Sequence, residues 1–140
     1  MPMMKILAAL ALVGALTLTA CGDPEKKDVP AKGQNATRDQ ALQEIDIVRK
    51  DLVRATHMLQ TGRRKPAGEV VSETYVQHYE KVEKVLGSID DELNEKLEEA
   101  LSVKLRRMIR GETPVPKIVK YITRVDADLG RAQDKLKGSG

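Results

Sequence analysis

From residue 41 onward, apolar residues recur at gaps of three and four, the spacing that lines one face of a helix. Between Thr37 and Gly62 they fall at Ala41, Ile45, Val48, Leu52, Ala55 and Leu59, a heptad seam. Thr37 and Gln40 have the spacing of a capping box, so the first helix is predicted to open at Thr37. Arg63-Arg64-Lys65-Pro66 makes a basic turn, and a second seam follows at Tyr75, Tyr79, Val82 and Leu86, on a helix opening near Ala67. Ser88, just ahead of Asp90, Asp91 and Glu92, reads as the cap of a third helix, where acidic groups suit the N-terminal dipole. That helix is expected to bury Ile89, Leu93, Leu97, Leu101, Leu105 and Met108, and to end in Arg106, Arg107 and Arg110 before Gly111. Thr113-Pro114 opens a fourth, with proline at the first helical position and a seam at Val115, Ile118, Ile122, Val125, Leu129, Ala132 and Leu136.

Four amphipathic segments joined by short links predict an all-α domain over residues 37–140, an antiparallel up-down four-helix bundle. A second architecture shares the pattern. The seam Tyr79, Val82, Leu86, Ile89, Leu93 keeps its phase across Gly87, and a helix running straight through that glycine makes residues 67–110 one central rod of about 65 Å, braced by two further helices. The two differ at Gly87, which the bundle turn is expected to hold in a left-handed conformation.

Ahead of the helical region stand two segments of different character. Ile6 to Leu18 is an apolar run of 13 residues that follows Lys5, shorter than the roughly 20 that a membrane-spanning helix needs, and it closes on small residues as a secretory signal does. Leu18-Thr19-Ala20-Cys21 then contains the chain's one cysteine. In these four positions the segment resembles the lipobox of bacterial lipoproteins. The resemblance implies that residues 1–20 are a signal peptide removed by signal peptidase II, and that Cys21 becomes an acylated first residue. Gly22 rather than aspartate follows the cysteine, which by the same resemblance implies the periplasmic leaflet of the outer membrane; the alternative is the outer face of an inner or plasma membrane. Residues 21–36 carry one sizeable apolar side chain, Val29, and read as a disordered tether.

Removing residues 1–20 takes away one lysine and no acid, so the formal charge of +3 falls to +2. That balance gives nucleic-acid binding no support, and the absence of Phe and Trp removes the usual stacking platforms. With Cys21 acylated no disulfide is left to staple the fold, which must hold by apolar burial.

Candidate chemistry is sparse. The histidines are His57 and His78; the first falls at an outward heptad position and the second at the edge of a seam, so neither is placed as a haem ligand. Asp90, Asp91, Glu92, Glu95, Glu98 and Glu99 read as a solvated acidic face, since no Glu-x-x-His pair accompanies them. No catalytic residue, metal site or cofactor is expected. What remains are surfaces. Arg63, Arg64 and Lys65 share one end of the bundle with Arg106, Arg107 and Arg110 if the helices alternate in direction, and Tyr75, His78 and Tyr79 form the aromatic cluster; together these are the candidate partner surface. The resulting expectation is a lipid-anchored, noncatalytic helical accessory subunit of a cell-envelope assembly, attached to the membrane at Cys21, meeting an envelope protein and able to self-associate. A chaperone-like or small-ligand-binding helical bundle is the alternative.

Overall fold

A computed structural model describes residues 32–138, with side chains from residue 37 onward. Residues 1–31, including Leu18, Thr19, Ala20 and Cys21, lie outside the described residues. Four helices, and no strand among the described residues, make up the fold: α1 (Lys32–Gln60), α2 (residues 64–87), α3 (residues 91–110) and α4 (Val115–Gly138). α1 touches α2 and α4, and α3 touches the same two, so one core lies at the centre of four neighbours. Each seam predicted for α1 and α4 is buried except at Val115, which is half-buried.

Local chemistry sets the helix ends. α1 stops at Gly62, which has φ +78°, and there the Gly62 and Arg63 amides donate to Leu59 O and Met58 O at 3.1 and 2.8 Å. This double bond is the Schellman closure, which glycine adopts without a steric cost. Asp90 starts α3 by accepting from the Leu93 amide at 3.0 Å. Ser88 does not cap as expected: its hydroxyl donates back to Val85 O at 2.7 Å, and Asp90 has the extended backbone a cap requires. Nor does Thr37 start a helix, because α1 is already under way at Lys32. α2 opens at Arg64 rather than near Ala67. Pro114 precedes the first residue of α4 and accepts at its carbonyl from the Lys117 and Ile118 amides.

The continuous rod is not found. α2 ends at Gly87 and α3 begins at Asp91, with the Ile89 and Asp90 amides both closing on Leu86 O. Gly87 itself is helical, not left-handed; Gly62 is the positive-φ glycine among the described residues.

Both middle helices carry one π-helical turn, Tyr75–Tyr79 in α2 and Ala100–Lys104 in α3. A π-turn inserts one residue and rotates the remainder of the helix by about 100° relative to regular winding. The buried face of α2 therefore runs Ala67, Val70, Val71, Thr74, Tyr79, Val82 and Leu86, with Tyr75 only half-buried. In α3 the last core residue is Ile109 instead of Met108, and Ile89 ahead of the helix is half-buried.

Candidate functional site

The basic turn after α1 and the basic end of α3 meet. Arg64 reaches across to the last turn of α3, where its Nη1 donates to the carbonyls of Met108, Ile109 and Gly111 at 3.3, 3.1 and 2.8 Å, and its Nη2 to Thr113 O at 2.7 Å. The Met108 and Ile109 carbonyls are among those that a helix C-terminus leaves without intrahelical donors, Gly111 and Thr113 belong to the loop beyond it, and a guanidinium there meets both the hydrogen bonds and the negative end of the dipole. Arg64 is thus a structural cap on another helix.

Beside this cap a groove of about 700 Å³ runs between α2 and α3. Its α2 wall carries Lys65, Glu69 and Glu73, with Gly68 and Ser72 at its base, and its α3 wall carries Arg106, Ile109 and Arg110. The helices can approach closely because position 68 has no side chain: a Cβ there stands 3.3 Å from Ile109 Cγ2. Arg106 donates from Nη1 to Ser102 O at 3.3 Å, and its Nε is buried without a hydrogen-bond partner. Arg107 faces a neighbouring recess that it shares with Val103 and Arg110, while exposed Arg63 donates to Thr61 Oγ1 at 3.5 Å. Of the six basic residues singled out from the sequence, four line this groove.

Of the Tyr75, His78 and Tyr79 cluster, Tyr79 belongs to the interior and the other two are half-buried. Tyr79 is fully buried, its hydroxyl donating to Asn94 Oδ1 at 3.1 Å, and burial pushes its phenol well above the ordinary range. Tyr75 stacks on it at a ring separation of 6.1 Å and donates to Glu83 Oε1 at 2.9 Å; burial first, then Glu83, raises the Tyr75 phenol to about 12. His78 Nδ1 lies 2.6 Å from Glu44 Oε2, and Lys81 Nζ donates to Glu44 Oε1 at 2.9 Å. Tyr79 is therefore withdrawn from the candidate partner surface, because it packs in the core, while half-buried His78 ties α2 to α1. His57 is exposed.

No group of three His, Cys, Asp or Glu side chains is placed to hold a metal among the described residues. No described helix is long and apolar enough to cross a membrane. The sequence pattern does not single out Gly68, Glu69, Ser72, Glu73 or Ile109. The signal that could have found the charged ones is the i, i+4 spacing of Glu69 with Glu73 and of Arg106 with Arg110, which puts each pair on one face of its helix. Comparison with protein-family models, with curated proteins and with solved structures gives no match.

Proposed function

We propose that this protein is a lipid-anchored lipoprotein of the cell envelope, attached through Cys21, whose four helices form an antiparallel up-down bundle that acts as a noncatalytic interaction subunit. The groove between α2 and α3 is its contact site. The observation that carries this reading is the gathering of Lys65, Arg106 and Arg110 in one groove beside the α1–α2 turn. That turn lies at the far end of α1 from Lys32, about 43 Å along a helix of 29 residues. A chain tethered at its N-terminal side thereby holds its charged contact site away from the lipid. Gly22 after Cys21 favours the periplasmic leaflet of the outer membrane.

Two measurements on the full chain in cells test the reading. Labelled palmitate should enter the wild type and be lost in Cys21→Ser; a Cys21→Ser chain that still takes up label overturns the anchor. A photocrosslinking residue at Lys65 or Arg110 should give protein adducts, whereas one at Lys50, exposed on α1, should not. Adducts from Lys50 alone overturn the groove as the contact site. The groove's volume also falls within the range of small-molecule sites, which favours a ligand-binding bundle as the second reading. Its signature is a small molecule that stays with the purified protein while position 110 gives no protein adduct.

A further inference from the structure

Beyond Arg64 and Lys65 at the α1–α2 end, the two walls of the groove carry opposite charge in matching rows. Glu69 and Glu73 stand one helical turn apart on α2, and Arg106 and Arg110 one turn apart on α3. Among the described residues none of these four takes part in an ion pair. Position 68 lies against Ile109 and Tyr79 bonds Asn94, so α2 and α3 run in opposite senses and the two rows sit at the same height along the groove. Two of the four large apolar side chains exposed on the described surface lie on these helices: Val76, three residues after Glu73 on α2, is 54 % exposed, and Val103, in the recess beside the groove and three residues before Arg106 on α3, is 40 % exposed.

We infer that the occupant of this groove is a second copy of the same chain, related by a two-fold axis parallel to α2 and α3. Symmetry selects this arrangement. A face can meet its own copy by rotation about an axis across the helices or along them. Rotation across the helices sets α2 on α2 and α3 on α3, which places glutamate rows against each other and arginine rows likewise. Rotation along the helices sets α2 of each copy on α3 of the other without changing height. Glu69 and Glu73 then face Arg106 and Arg110 of the second copy, and Val76 comes level with Val103. The same contacts occur twice, as an isologous interface requires. The open groove gives the long arginine side chains of each copy space to reach the opposite glutamates.

In this dimer both α1 helices start at the same end, so both chains can be tethered to one bilayer. That feature rests on the anchor proposed above. It also supplies affinity: exposed ion pairs are individually weak, and confinement of both copies by their tethers raises their effective concentration.

The test uses two full-length copies with different C-terminal tags, made in the same cells and recovered through one tag. Wild type should recover wild type. E69K/E73K, with both rows basic, and R106E/R110E, with both rows acidic, should each recover their own kind about tenfold less well, a change of about 1.4 kcal/mol. Made together, these two variants should recover each other at the wild-type level. Failure of wild type to recover itself, or self-recovery of both variants unchanged, overturns the proposal. So does mutual failure of the mixed variants, the result expected if the rows pair within one chain. Because Arg106 also bonds α3, R110E alone is run as a second acidic partner, and helical circular dichroism of each purified variant checks folding. Palmitate labelling is read on the same samples: unlabelled chains that recover each other overturn the anchor and leave the dimer standing.

Discussion

Arg64 donates to Thr113 O at 2.7 Å, joining the first residue of α2 to the loop that leads into α4. With its three further carbonyl contacts it closes α3 from outside. As one of three basic residues in a turn, Arg64 looks replaceable by any charge; its geometry makes it the least replaceable of the three. Arg64→Ala is expected to lower unfolding free energy by about 1–3 kcal/mol, since hydrogen bonds from a charged donor are lost and carbonyls are left unpaired. Arg63→Ala, on an exposed side chain, should stay within about 0.5 kcal/mol. Urea denaturation of both variants checks the contrast, and equal losses rule out the capping role.

Gly87 and Gly62 should respond to alanine with opposite signs. Gly87 is helical, and an added Cβ there makes ordinary contact with Asn94 Nδ2 at 3.5 Å. Alanine at 87 should therefore stabilise by about 0.5–1 kcal/mol through the reduced entropy of the unfolded chain. Gly62 holds φ +78°, where a Cβ is strained, so Gly62→Ala should cost about 1 kcal/mol or more. Melting temperatures of the two variants read the signs directly. The bundle turn at 88–90 does without the left-handed glycine that its sequence suggests; Asp90 takes up the change of direction instead, with φ −151°.

How far the sequence can be read depends on helix regularity. In α1 and α4 the 3-and-4 rule holds from end to end, so Ala41 through Leu59 and Ile118 through Leu136 are buried where the pattern places them. In α2 and α3 the rule loses its phase at a π-turn, and it takes Tyr75, inside the first turn, for Thr74, and Met108, beyond the second, for Ile109. Leu93, Leu97, Leu101, Leu105 and Ile109, each four apart and all buried, carry the signal of that slip, because an uninterrupted α-helix would turn such a row away from the core. The groove is less legible. Its charges are visible as i, i+4 pairs, but that Glu69 and Arg106 share a groove depends on the close approach of α2 to α3 at Gly68, which no local pattern announces.

The π-turn in α2 makes its own prediction. If Tyr75–Tyr79 is one residue inserted into an α-helix, deleting exposed Val76 should restore regular winding while Thr74 and Tyr79 keep facing the core. The cost should be below about 1 kcal/mol. Deleting Glu69, from the regular stretch Arg64–Thr74, rotates one side of the helix by about 100° against the other. It should cost about 3 kcal/mol or more, as buried apolar groups are turned outward. Chemical denaturation separates the two deletions, and a Val76 deletion as damaging as that of Glu69 shows the π-turn to be required by the core.

Glu44 gives the fold an acid-sensitive joint between α1 and α2. It is 8 % exposed. Burial works to raise its pKa, but hydrogen bonds with His78 and Lys81 outweigh that and hold the carboxyl below its ordinary value of 4.5. A carboxyl whose pKa is lowered by folding contributes stability above its unfolded pKa and loses that contribution as pH falls through the folded one. The contribution of Glu44 is therefore present at neutral pH and fades below 4.5. Asp128, held low by Lys96 and Arg131 against its own burial, acts in the same direction. Glu44→Gln should consequently destabilise the protein clearly at about pH 6 and much less at about pH 3, where the wild-type carboxyl has itself taken up a proton. Urea unfolding of both proteins at the two pH values measures this. Parallel losses at both mean that the Glu44 charge adds nothing beyond shape, and that His78 and Lys81 hold α1 to α2 equally well when the carboxyl is neutral.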